Sequence, residues 1–531
     1  MIFDHLTKTM DQFRSLIGGF QLDRREKLFI RHNQEVWKAF LQEQEGGEIL
    51  LESNTMASSV IAYSYLANLL AKKHRSKIVA YLSGRLKMLT NRKANGIYRS
   101  FNVRDFVCYH LAPSQAQAAD RLLREIAPGL KSKKAVEDLC LEGVWVGDLI
   151  YDSYCMHYKV PTVLLTDPRF WGSLKDALGY YIFWRDYFTS HDVRSVIVSH
   201  TVYLHSGMLT RLAICKGIPV YQINATHLHY MTEKNMLAYN EFFYYPEQFR
   251  ELPEEERKKG LLIAEERLRK RFSGEVGVDM HYSKKSAYGP ARGSRVIRES
   301  NRLKILVATH CFFDNPHPYG VNLFPDFYEW LYFLGEISEQ TDYDWYIKTH
   351  PDFLPGNIPI LEEFIRKYPK FTMIPPETSH LQIKEEGIDF GLTVYGTIGF
   401  EYAALGIPVI NASLCNPRIR YHFNIHPKSI EEYCQILLTL PDQCVNIDVE
   451  EVYEYYFMAF VHNVNDWLFR DYEDFVQEIG GYRHQFESIS YERFLDCFSG
   501  SRHRQILKSL HCFVESGEYN LRRKFLEDLF E

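Results

Sequence analysis

The order of apolar and polar positions predicts two successive regions with the same α/β layout. Short apolar runs alternate with longer stretches of helical periodicity, and the runs end in small, polar or histidine residues. This rhythm of strand, turn and helix is typical of a parallel sheet with crossover helices. The predicted strands of the first region are 49–52, 77–82, 161–165, 194–198 and 220–223. Those of the second region are 304–308, 343–348, 371–374, 390–394 and 408–411.

A break in this rhythm divides the chain. Residues 254–271 form a charge-dense helical pattern, and 273–298 are rich in Gly, Ser, Lys and Arg with little periodicity. Such a stretch is typical of a domain boundary. We therefore predict a helical N-terminal extension at 1–45, a first Rossmann-like domain at 46–250, a linker at 251–300, a second Rossmann-like domain at 301–445 and a helical C-terminal extension at 446–531.

Length, charge and cysteine content narrow the class of protein. The 531 residues are too many for one hydrophobic core and agree with two large domains. A net charge of −6 argues against a nucleic-acid-binding protein, which would carry a basic excess. The sequence has no apolar stretch long enough to span a membrane, no signal-peptide pattern and no CxxC pair among its ten cysteines. We expect a cytoplasmic protein with reduced thiols.

The sharpest chemical signal is the segment 389–411, in which a strand runs through Tyr395, Gly396 and Thr397 into a helix. The free N–H groups at the start of a helix suit a phosphate, and glycine lets the backbone approach a ligand closely. Thr397 can cap the helix or donate to a phosphate oxygen. Glu401 lies one turn further on the same face, where a carboxylate can accept two ribose hydroxyls. A β–α turn with a capping threonine and an ordinary helix glutamate explains the pattern equally well.

This segment resembles the donor site of GT-B glycosyltransferases, in which a small-residue turn precedes a helix with Glu and then Gly-x-Pro-Val. It looks closest to bacterial transferases of capsule and surface-polysaccharide biosynthesis, among them capsular Kdo transferases and polysialyltransferases. Those proteins also carry a His-Pro motif after an earlier strand, and here Lys348, His350 and Pro351 belong to such a motif. The resemblance implies that this motif contacts the nucleotide phosphate and that His350 stabilises the leaving-group charge.

The resemblance implies an α/β fold of two Rossmann-like domains that face a cleft. The first domain would bind a glycan or glycolipid acceptor, and the second a CMP-, UDP- or GDP-linked sugar. Gly396 and Thr397 replace the Ser/Thr-Ser pair of the polysialyltransferases, so the identity of the nucleobase in the donor nucleotide is left open. The implied reaction is an inverting sugar transfer to a growing surface glycan of capsule or lipopolysaccharide type. Peripheral association with the inner face of the plasma membrane is left open.

Two further donor-site candidates, His310 and Asp314, follow the first strand of the second domain. They can contact the donor phosphate or sugar, and a structured loop with a capping aspartate is the alternative. No DxD-type pair follows a strand, and His227 and His229 have no Asp, Glu or Cys partner at ligand spacing. We therefore expect an enzyme that uses no metal and no cofactor besides its nucleotide-sugar substrate.

An inverting transfer also requires a base that removes the proton of the attacking acceptor hydroxyl. In the first domain the candidates are Glu52, Asp148 and His200. Glu52 ends the first strand, and the resemblance implies a carboxylate near this loop. Asp148 is also explained as a first-turn residue of a helix, and His200 as a structural histidine. The segment 146–152 is similar to a stretch of the same surface-carbohydrate proteins.

Three other functions remain open from the sequence. A nucleotide-sugar 2-epimerase shares this scaffold but requires acid and base carboxylates that the first domain does not show. A transferase of phosphopolyol units, such as glycerol phosphate from CDP-glycerol, would share the His-Pro and helix-Glu pattern. A non-catalytic sugar-nucleotide-binding protein would not need His350, Thr397 and Glu401 together.

Overall fold

The structure is a computed structural model of the chain. It describes residues 21–40, 46–82, 92–237, 240–289, 293–350, 356–443, 445–463, 466–469 and 471–530. Pro351, which is predicted to contact the nucleotide, and part of the predicted N-terminal extension lie outside these ranges. The chain divides into two compact units. Unit 1 comprises Met1–Ala127, Leu174–Met236 and Asn465–Glu531, and unit 2 comprises Pro128–Ser173 and Leu237–Val464.

Unit 1 contains a six-stranded sheet that is parallel except at one edge. Numbered along the chain, its strands are β1 (Glu48–Glu52), β2 (Lys77–Leu82), β3 (Val103–Cys108), β6 (Val193–Val198), β7 (Val220–Ile223) and β8 (Leu228–Met231). Their order is β3-β2-β1-β6-β7-β8, and β8 runs antiparallel to β7. The helices are α1 (Arg24–Val36), α2 (Ala57–His74), α3 (Arg92–Ser100), α4 (Pro113–Ile126), α7 (Pro168–Ser190, whose first residues belong to unit 2), α8 (Met208–Cys215), α17 (Tyr472–Glu478), α18 (Ile489–Asp496), α19 (Gly500–Ser516) and α20 (Glu527–Phe530).

The core of unit 1 forms around α2, whose residues 57–70 are all buried. A helix that is buried around its whole circumference needs protein on every side. The sheet covers one side, and both ends of the chain contribute to the same hydrophobic cluster. Phe29 of α1 stacks on Tyr491 of α18 with ring centres 4.3 Å apart. The described part of the predicted N-terminal extension and the predicted C-terminal extension from residue 466 onwards therefore belong to the unit 1 core, whereas 446–463 belong to unit 2.

Unit 2 contains a second six-stranded sheet, which is parallel throughout. Its strands are β9 (Lys304–Ala308), β10 (Asp344–Lys348), β11 (Phe371–Ile374), β12 (Phe390–Thr393), β13 (Val409–Asn411) and β14 (Asn424–Ile425), in the order β11-β10-β9-β12-β13-β14. A separate antiparallel pair is formed by β4 (Cys140–Leu141) and β5 (Val144–Trp145). The helices are α5 (Lys133–Glu137), α6 (Gly147–Tyr158), α9 (Tyr245–Glu251), α10 (Glu254–Phe272), α11 (Phe327–Gln340), α12 (Asn357–Lys367), α13 (His380–Glu385), α14 (Ile398–Ala404), α15 (Ile430–Leu438) and α16 (Val449–Phe457). The two sheets confirm the predicted α/β class with two Rossmann-like sheets.

The observed units differ from the predicted domain ranges. The segment Pro128–Ser173 belongs to unit 2 rather than to the first sheet, and α10 is a packed helix of unit 2 where a linker is predicted. The predicted strand at 161–165 is wrong, because this stretch is irregular. Its polar groups bond to side chains instead of a sheet ladder: Lys133 Nζ donates to Thr162 Oγ1 at 2.5 Å, and the N–H of Val163 donates to Tyr151 Oη at 3.4 Å.

Three properties of the described ranges bear on the predictions from composition. No helix in them combines the length and apolar character needed to cross a bilayer. Their cysteines are all unpaired. They also contain no group of three or more His, Cys, Asp or Glu side chains placed to hold a metal ion. Metal independence stays a prediction.

Candidate functional site

The strand order of unit 2 creates a switch point at the carboxyl end of its sheet. Chain connections run from β9 towards β11 on one side and from β12 towards β14 on the other, while β9 and β12 are neighbours. In open parallel sheets such a point opens a crevice in which ligands bind. The segment after β9 begins with Thr309 and His310, and the segment after β12 contains Tyr395, Gly396 and Thr397. The structure thus brings the predicted donor-site segments together.

His310 holds the β12 turn as a neutral ring. Its Nε2 lies 3.0 Å from Thr393 Oγ1 and accepts the N–H of Val394 at 3.3 Å. The ring stacks on Phe327 with centres 4.4 Å apart. Burial, together with the charge of Arg418, lowers the pKa of His310 to about 3. A ring that is neutral at physiological pH supports the turn and does not supply a positive charge to a phosphate.

Gly396 is required by the close packing of this turn. Its N–H donates to Thr393 Oγ1 at 3.1 Å, and a Cβ at position 396 would lie only 2.8 Å from that oxygen. This contact accounts for glycine where the polysialyltransferase pattern has a hydroxyl residue. Tyr395 Oη donates to the carbonyl of Asn315 at 2.8 Å, and Asn315 has a positive φ of 46°. Asp314, one residue earlier in the loop after β9, is exposed.

Thr397 and Glu401 bond to each other, and Glu401 also bonds to α10. Thr397 makes no capping bond and instead donates to Glu401 Oε2 at 3.3 Å. Glu401 Oε1 accepts a hydrogen bond from Arg271 of α10, and the Glu401 residue is 5% exposed. Glu401 is thus a buried carboxylate in an ion pair with Arg271, and its second oxygen accepts from Thr397. The geometry therefore favours a structural role for Glu401 over the predicted contact with ribose.

Lys348 ends β10, the strand beside β9, and His350 follows two residues later at the same sheet edge. The N–H of Thr309 donates to the carbonyl of Lys348 at 3.1 Å, so the two strand ends are neighbours. Lys348 is buried, its Nζ donates to the carbonyl of Pro376 at 2.8 Å, and burial lowers its pKa to about 8. His350 is exposed. Burial, with the charges of Lys348 and His350, holds the pKa of His380 well below its usual value.

Unit 1 has its own switch point, between β1 and β6. Glu52 ends β1, and its carboxylate has three donors: Ser199 N–H at 2.6 Å and Tyr63 Oη at 3.1 Å to Oε2, and Ser206 Oγ at 3.1 Å to Oε1. His200, the next residue after Ser199, is exposed. Two predicted base candidates, Glu52 and His200, therefore lie at one sheet edge, and Glu52 has a fixed orientation.

The loop after β6 has an uncommon backbone. Tyr203 has a positive φ of 58°, and Tyr203–Gly207 form a π-helical turn. Residues in sparsely populated conformations and π turns are concentrated at functional sites. The hydroxyls of Tyr81 and Thr201 are buried near this edge without a hydrogen-bond partner in the described part of the chain. Unit 1 thus offers a carboxylate and spare hydroxyls at its switch point.

Asp148 belongs to unit 2, whereas Glu52 and His200 belong to unit 1. It is buried in the first turn of α6. Its helix neighbour Asp152 accepts from His317 Nδ1 at 2.6 Å, and His317 Nε2 bonds to Glu137 at 3.1 Å. Burial alone would lower the pKa of His317, but Asp152 and Glu137 outweigh it and raise the pKa to about 10. The segment 146–152 therefore holds the loop that follows β9.

Several side chains at the two edges are not predicted from the sequence. Arg271 gives no signal, because it lies in the stretch predicted as a linker and its partner Glu401 is 130 residues away along the chain. Thr393 lies inside the recognised motif, but its strand position masks its role in the turn. Ser199 and Arg418 both come after a strand, which is the same criterion that selects His310 and His350.

Comparison with known proteins adds little to this geometry. The sequence matches no protein-family model, and no curated protein matches it significantly. Among solved structures, it is similar to a UDP-GlcNAc 2-epimerase from Neisseria meningitidis bound to UDP-GlcNAc, at 11% identity over 78% of this chain and 98% of that one, with a TM-score of 0.23. It is similar to a glycosyltransferase from Rickettsia africae at 9% identity over 86% and 100%, with a TM-score of 0.26. It is similar to the wall teichoic acid polymerase TagF at 11% identity over 97% of this chain and 98% of that one, with a TM-score of 0.19. Similarity at this level does not bear on activity.

Proposed function

We propose that the protein is a glycosyltransferase that moves a sugar from a nucleotide-activated donor to a hydroxyl of a growing surface glycan. The observation that carries the proposal is the pair of switch points with different chemistry. The unit 2 edge has a close-packed glycine turn with His350 and Lys348 on the adjoining strand end. The unit 1 edge has a carboxylate held by three donors. The first set suits a phosphate and the second suits an acceptor hydroxyl.

In the proposed reaction Glu52 is the base. It takes the proton of the acceptor hydroxyl while that oxygen forms a bond to the anomeric carbon. The bond from the anomeric carbon to the phosphate oxygen breaks, and its electron pair leaves with the nucleotide. A single displacement of this kind inverts the anomeric centre and needs no metal. Because Ser199, Tyr63 and Ser206 fix the orientation of Glu52, the base stays aligned with one direction of attack.

His350 is proposed to stabilise the charge that develops on the leaving phosphate. Replacing it by alanine (His350→Ala) should lower turnover at least 100-fold, because a positioned proton donor contributes about 10²–10⁴. His422→Ala is the matched control, since His422 is also an exposed histidine of unit 2. Release of free nucleotide from UDP-, GDP- and CMP-sugars is measured with and without a glycan acceptor.

The outcomes separate the functions that share this scaffold. The proposal expects nucleotide release that depends on acceptor, full activity in His422→Ala, and a folded but slow His350→Ala variant. Formation of an epimer from a UDP-sugar without acceptor would instead identify an epimerase. Transfer from a CDP-polyol alone would identify a phosphopolyol transferase. Normal turnover in His350→Ala would contradict the role of this histidine.

A further inference from the structure

Arg418 is a buried cation without a carboxylate partner among the described residues. It is 2% exposed and is one of the largest fully buried side chains of the protein. Its Nε and Nη2 atoms are buried without a hydrogen-bond partner in the described ranges. The guanidinium lies 5.9 Å from the centre of the Tyr455 ring, a cation–π contact that compensates only part of the lost hydration. An unpaired buried charge carries a large free-energy cost.

The position of this charge is defined by Gly399. A Cβ at Gly399 would lie 2.9 Å from Arg418 Nε and 3.2 Å from Nη2, so a larger residue at position 399 would displace the guanidinium. Gly399 is in the first turn of α14, and its N–H donates to the carbonyl of Gly396 at 3.0 Å. The guanidinium therefore packs against the same turn that Gly396 forms at the switch point.

The groups around Arg418 leave its charge uncompensated. His310 and His426 are kept neutral by burial, and the charge of Arg418 lowers the pKa of both further. Asn424, whose Oδ1 also faces Gly399, is an uncharged amide. A second arginine near this turn, Arg271, is paired with Glu401. The positive field at the turn therefore comes from Arg418.

We propose that Arg418 is the counter-charge for the phosphate of a nucleotide bound at the Gly396 turn. It acts as a positioning residue, through the turn, and does not touch the reacting atoms. The attraction between a buried cation and a bound anion is strong because little water screens it. An anionic ligand thus relieves the charge that is unpaired in the ligand-free protein. This inference rests on the proposed function, which places the nucleotide in unit 2.

The test compares Arg418→Met and Arg418→Lys with Arg420→Met. Arg420 is the matched control because it is exposed, lies two residues away and is paired with Glu247 at 2.6 Å. The melting temperature of each full-length protein is measured alone and with UDP, GDP, CMP or pyrophosphate, and Kd is measured by calorimetry. We expect Arg418→Met to melt at or above the wild-type temperature without ligand and to bind nucleotide at least tenfold more weakly. Arg418→Lys should keep part of the affinity, and Arg420→Met all of it.

The contrary outcomes are distinct. If Arg418 has only a structural role, Arg418→Met should melt well below the wild-type temperature or fail to fold, and the variants that fold should keep the wild-type Kd. This result overturns the inference. If the wild type binds nucleotide and Arg418→Met binds it equally well, the inference alone is overturned. If the wild type binds none of the four probes, the proposed function is overturned together with it.

Discussion

At the scale of single residues, His317 shows how a buried charge can hold a functional loop. Its two ring nitrogens bond to Asp152 and Glu137, so the ring carries a positive charge between two carboxylates. The backbone N–H of His317 also donates to Asp152 at 3.1 Å. Because His317 lies on the segment that follows β9, these bonds fix the far end of the loop that begins at His310.

Replacing His317 by leucine (His317→Leu) should destabilise the protein by about 3–5 kcal/mol, because two buried carboxylates would lose their cation. Urea unfolding at pH 7 measures this loss of stability, with His422→Leu as an exposed control.

The dependence on pH of the stabilisation by His317 has a defined sign. The folded pKa of about 10 lies above the unfolded value of 6.5, so the stabilisation is complete below pH 6.5 and is lost as pH rises through about 10. Equal unfolding curves for wild type and His317→Leu across this range would refute the assignment.

The residues at the carboxyl edge of the unit 2 sheet could be predicted in part from the sequence. His310, Gly396 and His350 are predicted to share this edge because each follows a strand, and the ends of parallel strands share an edge. The partner of Glu401 could not be found in this way. A carboxylate on a helix after a strand is compatible with a ribose contact or an ion pair, and Arg271 lies 130 residues earlier.

At the scale of elements, the hydrophobic pattern predicts the helix α10 but misses its packing in unit 2. Its buried positions are Gly260, Ala264 and Leu268, four residues apart. Two of the three are small, so the buried stripe has little apolar character to detect. A Cβ at Gly260 would lie 2.7 Å from the ring of Phe457, which shows how closely the helix packs on α16. The central strands are easier to predict because they are continuous apolar runs, whereas the edge strands β3, β8 and β14 are not predicted.

The contribution of α10 to the stability of the protein can be tested through its ion pair with Glu401. Replacing Arg271 by methionine (Arg271→Met) leaves Glu401 buried and unpaired and should destabilise the protein by roughly 3 kcal/mol. The double variant Arg271→Met/Glu401→Gln should recover part of this loss, because the unpaired charge is gone. Arg269→Met, an exposed change on the same helix, should have little effect. Thermal and urea unfolding measure all four proteins. A loss in Arg269→Met as large as that in Arg271→Met would contradict the account.

At the scale of the whole molecule, the chain builds each unit from separate segments. Unit 1 takes in both ends of the chain, and unit 2 takes in Pro128–Ser173 from between two parts of unit 1. The sequence predicted contiguous domains because its only visible break is the stretch around 273–298. Polar pairs of high sequence separation join Pro128–Ser173 to the rest of unit 2, such as Glu137 with His317, 180 residues apart. Local periodicity contains no information on such pairs.

The central claim is that the unit 2 switch point binds the nucleotide. Hydrogen–deuterium exchange of the full chain, with and without the nucleotide that raises its melting temperature most, tests this most directly. The account predicts slower exchange with nucleotide in peptides from 309–317 and 393–401, and unchanged exchange at 48–56 and 193–207 in unit 1. Protection confined to unit 1, or absent from both unit 2 segments while nucleotide is bound, would contradict the account.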